Sequence, residues 1–214
     1  MSSIEQTAAY VRQALNGAEA GHDWWHIQRV WSTAKTIGLA EGAQMEIVEL
    51  AALLHDIADS KFHGGDEEIG PKKAEAYMRS IGVLEQTIEQ VVLIIRNISF
   101  KGGKTERTFF SKELDVVQDA DRLDAIGAIG IARTFNFGGY KNNEMYNPDR
   151  PPQFNMTKEE YKLSNGTTIN HFYEKLLLLK DRMNTSAGRQ MAEDRHRFME
   201  VFLEQFYAEW RGEK

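Results

Sequence analysis

The chain has no cysteine, which removes disulfides, zinc fingers, iron-sulfur clusters and thiol nucleophiles together. Any metal site must therefore use His, Asp and Glu. Proline is scarce too: of four in 214 residues, three fall between Asn136 and Thr167. No window approaches the roughly 18 uninterrupted apolar residues of a membrane span. The opening "MSSIEQTAAYVRQAL" also lacks the basic start and apolar block of a signal peptide. The expectation is a cytoplasmic protein with no membrane partner. Positive charge is not in excess, since 26 Lys and Arg against 32 Asp and Glu give a net charge of -6. That balance argues against duplex nucleic acid as a partner, which would need a basic surface. A small phosphorylated substrate stays compatible, because a bound divalent cation and a few local Lys or Arg reverse the potential inside one pocket.

What the chain does have is helical periodicity. Apolar residues recur at helix spacing at Ile4, Ala8, Val11 and Leu15, at Ile47, Leu50, Ala51 and Leu54, and at Ile88, Val91, Val92 and Ile95. Toward the C-terminus, Ile169, Phe172, Tyr173, Leu176 and Leu177 form one stripe. Met191, Phe198, Met199, Phe202, Phe206 and Trp210 form another. No alternating strand pattern appears, so the expected fold is all-α, a single-domain helical bundle over 1–214. Asp23 reads as the N-cap of a long helix that stops at Gly42. A further helix is expected from Glu113 to about Phe135, with Gly127 and Gly130 inside it for close packing. Residues 136–167 read as a long loop or lid. Trp24, Trp25 and Trp31 are expected in the core, although a Trp beside His26 could line a nucleotide pocket.

Polar residues break this pattern at a few places. His26 stands in "GHDWWHIQRV", the pair His55-Asp56 closes the apolar run of "LLHDIADSKFHGGDEE", and Asp121 lies in "QDADRLDAIG". Each lies on a separate expected helix, near an end or a polar break, so bundled helices could bring all four to one point. Two imidazoles and two carboxylates suit Mn, Fe, Mg or Zn and leave positions open for water and substrate oxygens. Adjacent helical residues point about 100° apart, so His55 and Asp56 can share an ion only from a helix end. "KGGKTE" at Lys101 to Glu106 is not a P-loop, because the required first glycine would fall at Ile98 and helix, not strand, precedes it.

The order H…HD…D, filled by His26, His55-Asp56 and Asp121, resembles the HD-domain metal-dependent phosphohydrolase superfamily. The phrases "GHDWWHIQRV", "LLHDIADSKFHGGDE", "NISFKGG", "DADRLDAIGAIGIARTF" and "INHFYEKLLLLKDRMNT" are similar to its small bacterial single-domain branch, the YpgQ type. The resemblance spans nearly the whole chain. It implies an all-helical fold and one divalent metal held by His26, His55, Asp56 and Asp121. In this branch the metal is most often Mn, with Mg, Fe, Co, Ni or Zn as alternatives. It also implies hydrolysis of phosphoester or phosphoanhydride bonds, with release of monophosphate and pyrophosphate from a (deoxy)nucleoside triphosphate as the associated activity. Asp119 and Asp124 match no metal role. Asp59 occupies the place where the alarmone hydrolases of the superfamily carry an acid; Ser60 stands where their following acid would be.

The remaining assignments have two readings each. Asp59 either orients and deprotonates the attacking water or is a surface acid. Lys61, Arg122 and Lys175 are candidates for neutralising leaving phosphates. For Lys175, with His171, Arg189, Arg195 and His196 on the C-terminal helices, a solvated face or inter-helix pair is the alternative. His22 either contacts substrate or merely precedes a helix capped by Asp23, and His63 is a contact to substrate or metal or an exposed loop residue. The expected partner is a nucleotide, with a homodimer left open. Rival functions are a nucleoside monophosphatase, a cyclic-nucleotide phosphodiesterase, or a non-catalytic nucleotide-sensing module.

Overall fold

The computed structural model describes residues 1–17, 23–58, 66–98, 109–154 and 166–214. Among them every regular element is helical: α1 (Ser3–Ala14), α2 (Trp24–Glu41), α3 (Met45–Leu54), α4 (Ile69–Ser80), α5 (Glu85–Ile98), α6 (Lys112–Asp124), α7 (Gly127–Tyr140), α8 (Asn170–Glu174) and α9 (Ser186–Trp210). Two 3-10 turns, Leu176–Leu178 and Lys180–Arg182, stand between α8 and α9. None of these helices is long and apolar enough to cross a membrane. The chain forms two compact units, residues 1–121 and 122–214, so the boundary falls inside α6.

The first unit is organised around α3, which is apolar on nearly every side. Ile47, Val48 and all of Leu50 to Leu54 are buried, as expected for a helix with neighbours all round it. Helices α1, α2 and α5 pack against it, and α4 packs on α5. The stripes around Ile47 and Ile88 are therefore core as expected; Ile27, Val30, Ala34 and Ile37 of α2 complete it. Burying each such side chain contributes about 1.5–3 kcal/mol. Local signals set the ends of the helices. In α1, Ser2 and Glu5 form a reciprocal capping box. For α2, Asp23 is the N-cap and Gly42, at φ 64°, the left-handed C-cap, as the sequence indicates.

In the second unit the core is aromatic. Phe172 stacks on Phe202 at 5.9 Å with Phe135 tilted against it at 6.1 Å, and Tyr146 meets Phe206, Tyr207 and Trp210 edge-on. Helix α7 packs on α9.

Four expectations are corrected. The helix expected from Glu113 to Phe135 is two helices, because Ile126 is extended (φ -128°, ψ 168°) and Gly127 takes φ 74°. That conformation favours glycine, and a Cβ at Gly127 would come within 3.0 Å of the Arg195 side chain. The loop expected from Asn136 begins only after α7 ends at Tyr140, and 155–165 of it lie outside the described residues. The stripe from Ile169 to Leu177 is not one long helix: α8 stops at Glu174, where Lys175 (φ -143°, ψ -57°) turns the chain into the 3-10 segments. Trp25 is not core but 57% exposed, since it occupies the first turn of α2 on a face away from Ile27 and Val30.

Candidate metal centre

Each of the expected donors stands where local structure gives it a fixed direction. Asp23 accepts a hydrogen bond from the backbone N–H of His26 at 2.9 Å, so its carboxylate caps α2. That bond starts the helix at the turn from which His26 projects, and His26 is only 2% exposed. At the other end of the apolar run, Leu53 and Leu54 are fully buried and α3 stops at Leu54. His55 is the C-cap and Asp56 follows in a turn. The His55 backbone is still right-handed helical (φ -59°, ψ -33°), so the pair stands at the helix end as expected.

The His55 ring is held by a hydrogen bond between Nδ1 and the carbonyl of Ala52 at 2.9 Å. A carbonyl can only accept, so Nδ1 carries a proton, and in the neutral ring Nε2 is the atom with the lone pair. That Nε2 is buried and has no hydrogen-bond partner within the protein, a costly state for a polar atom unless something else satisfies it.

The environment of that lone pair shows what would satisfy it. Asp56 Oδ2 lies 3.7 Å and Asp121 Oδ1 3.9 Å from His55 Nε2. The same two oxygens lie 3.7 and 3.5 Å from His26 Nε2. The two imidazoles meet edge-on with centroids 5.4 Å apart. Donors at about 2.1 Å from one ion are separated by roughly 3.0–3.5 Å along the edges of its polyhedron, so the spacing is close to that of a coordination shell. His26, His55 and Asp56 each offer an atom within 4.8 Å of the others, and Asp121 joins them through the two rings. Burial is unequal: the imidazole side chains are 2–3% exposed, those of Asp56 and Asp121 25% and 39%. The cluster therefore has a dry imidazole floor and a carboxylate rim open to solvent, an arrangement that could hold a divalent cation and still admit a substrate.

Of the other candidates, two belong to the second unit. Arg122 follows Asp121, but its Nη1 donates to the carbonyl of Arg182 at 2.5 Å. Lys175 is exposed at the end of α8, in the second unit. Burial, with Lys175 adding to it, pushes the neighbouring His171 down to about 4. His22, Asp59, Lys61 and His63 lie outside the described residues. Sequence reasoning missed two features: the Ala52 carbonyl that fixes the His55 tautomer, and Lys112 and Glu113, which bind the α2–α3 turn. A backbone carbonyl leaves no trace in the residue types. Asp119, without a matched role, is fully buried beside the centre's α6 ligand position.

A family model described as the HD domain matches residues 24–126, an interval that contains all four donors. YpgQ of Bacillus subtilis is 38% identical over 208 residues, covering 96% of this chain and 92% of that protein. Among solved structures, an HD-superfamily hydrolase from Bacillus thuringiensis is similar at 45% identity with a TM-score of 0.79, covering 97% of this chain and 96% of that one. The crystal structure of Bacillus subtilis YpgQ in complex with ADP is similar at 35% identity with a TM-score of 0.77, covering 97% of this chain and 94% of that one.

Proposed function

The chain belongs to the HD domain family as a metal-dependent hydrolase, and we propose that it is a (deoxy)nucleoside triphosphate pyrophosphohydrolase. In this reading water attacks the α-phosphorus, the bond to the β-phosphate oxygen breaks, and the products are the nucleoside monophosphate and pyrophosphate. The observation that carries the proposal is the buried, unpartnered Nε2 of His55 facing a second imidazole and two carboxylates. The ADP bound to YpgQ supports a nucleotide as the ligand class, and the resemblance of the motifs to the YpgQ branch supports the bond cleaved.

His26, His55, Asp56 and Asp121 would hold one divalent cation, Mn first among the choices, whose chemistry there is to lower the pKa of water and to polarise a phosphoryl oxygen. The chain's own contributions follow from the geometry. The bond from His55 Nδ1 to Ala52 fixes the tautomer, so the ring binds without first moving a proton. The buried imidazole floor excludes water from one side and leaves the carboxylate rim as the entrance. Two neutral imidazoles and two carboxylates carry two negative charges, which a divalent cation offsets, so the pocket is no longer repulsive to phosphates. Asp59 is the candidate for orienting the attacking water, and Lys61, His22, Arg122 and Lys175 those for the leaving phosphates. All five roles rest on sequence position. The exposed indole of Trp25, one residue before His26, is a further candidate for contact with a base. With no cysteine to oxidise, a reducing cytoplasmic setting suits the chain.

The test is a panel of nucleoside mono-, di-, tri- and cyclic phosphates with Mn, Mg, Fe, Co and Ni and with product identification. Monophosphate and pyrophosphate from a triphosphate are expected, strongest with Mn. Orthophosphate from monophosphates would replace the reading with a phosphatase, and nucleotide binding without turnover under every metal would replace it with a sensing module.

A further inference from the structure

The three helices that carry the donors are also tied together at a second place, remote from the centre. There α2 ends in the turn Gly42–Gln44 and α3 begins. The turn receives its caps from α6, some 70 residues further along the chain. Lys112 Nζ donates to the carbonyls of Glu41 at 2.8 Å and Gly42 at 3.4 Å. Glu113 Oε1 accepts from the backbone N–H of Gln44 at 3.0 Å. Gln44 is the N-cap position of α3 and makes no side-chain cap of its own; Glu113 satisfies the backbone N–H of that residue, the role an N3 acid plays in a capping box. The signs match the helix ends: a cation at the C-terminus of α2 and an anion at the N-terminus of α3. Ser111 caps α6 itself by accepting from Leu114 N–H at 3.0 Å, which fixes the turn from which Lys112 and Glu113 project.

From this corner α3 runs to His55-Asp56 and α6 runs to Asp121. At roughly 1.5 Å per residue, about 16 Å of chain separates Gln44 from His55 and about 12 Å separates Glu113 from Asp121. The two helices thus start from one latch and deliver their donors to one point, where Asp121 Oδ1 lies 3.9 Å from His55 Nε2. A slip of α6 by one residue would move Asp121 by about 1.5 Å, beyond the roughly 0.5 Å tolerance of a built site. Along the helix, Leu114, Val116, Val117 and Ala120 are buried and Gln118 Nε2 donates to the carbonyls of Asn97 and Ile98 at 3.4 and 3.2 Å, so packing and α5 also restrain α6; the first-turn bonds add a restraint against α2 and α3. Hydrogen bonds at the first turn are directional, and they fix where the helix begins.

We propose that Lys112 and Glu113 are positioning residues for the metal centre, setting the axial register of α6 against α2 and α3 and hence the place of Asp121. The proposal rests on the reading of Asp121 as a ligand. Because neither side chain is part of the core, removing them takes little from packing, and their effect should appear in metal affinity more than in melting temperature. Removal should weaken Mn2+ binding about three- to tenfold, less than the roughly 10- to 100-fold typical of groups that touch a ligand directly.

The test is a Mn2+ titration of the full chain, followed by the electron paramagnetic resonance of free Mn2+ and run well below the melting temperature. Lys112→Met with Glu113→Ala should raise the Kd three- to tenfold. Lys112→Arg with Glu113→Gln, which keeps a donor and an acceptor, should restore it. The control is Arg79→Met with Glu85→Gln, which removes an exposed ion pair in the same unit and should leave the Kd unchanged. Glu113→Ala alone, a milder change, should act in the same direction as the double variant. A latch variant within twofold of wild type, a failed rescue, or an equal effect of the control would overturn the proposal. Asp121→Ala separates the two levels. If it loses Mn2+ affinity while the latch variants do not, only the latch falls; if it keeps that affinity, the reading of Asp121 falls and the latch with it.

Discussion

Residues 1–121 and 122–214 both bury ionisable side chains, with opposite consequences. In the first unit an aliphatic core ends in His55 and faces two carboxylates, so a buried nitrogen is left with an available lone pair. In the second unit an aromatic core surrounds groups that burial keeps uncharged. His171 is pushed down to about 4 by burial and by Lys175, and the Tyr207 hydroxyl is pushed up by burial and by its hydrogen bond with Tyr173. Burial alone does not make a site. What distinguishes the first unit is that two buried imidazoles and two carboxylates converge on one point, whereas His171 and Tyr207 of the second are each perturbed separately.

Substitutions can break this contrast, beginning with the largest expected effect. His55→Ala removes the buried lone pair itself, so Mn2+ affinity should fall by at least about 100-fold, and hydrolysis should disappear with it; equilibrium dialysis with metal analysis checks this. The cores themselves should respond alike in stability and differently in function. Leu53→Ala and Phe172→Ala each remove a fully buried side chain and should cost about 3–4 kcal/mol. Only Leu53→Ala, two residues from His55, should also weaken Mn2+ binding at a temperature where both variants are folded. In the second unit, Arg133 Nη1 binds both the carboxylate and the carbonyl of the buried Asp124, at 2.5 and 3.1 Å. Arg133→Met removes these two hydrogen bonds from a buried residue whose carboxylate Arg195 also attracts, and should cost about 1–3 kcal/mol in urea unfolding.

The smallest effect is one of pH. The folded value of His171 near 4 lies below its ordinary 6.5, so between those values the unfolded chain binds a proton that the folded chain does not. Its contribution is fully present above about pH 6.5 and lost as the pH falls toward 4, the loss amounting to about 2 kcal/mol at pH 5. His171→Gln should flatten the stability curve over that window; an unchanged slope would show that the neutral imidazole is not responsible.

Much of the first unit was legible because its signals are local. Asp23 and Gly42 bracket α2 in the sequence as in the structure, and the pair His55-Asp56 directly after Leu53-Leu54 already implied donors at a helix end. The break at Ala125–Gly127 was not legible, because apolar spacing continues across it and Gly127 reads equally as a packing glycine or a left-handed turn. In the structure it is both: Gly127 takes φ 74° and the Arg195 side chain of a distant helix lies against it. The shortness of α8 was hidden in the same way, since Leu176 is buried although it no longer belongs to the helix. The caps of the α2–α3 turn come from Lys112 and Glu113, a separation that no local pattern encodes. Trp25 was misjudged because aromatic type predicts burial only on average, and the first turn of α2 leaves that face open.

The most direct test of the account is a calorimetric titration of the purified chain with Mn2+, alongside His55→Ala. The account predicts one Mn2+ per chain in the wild type and none at the same concentrations in the variant, with both proteins folded by circular dichroism. Equal binding by the two proteins would contradict it.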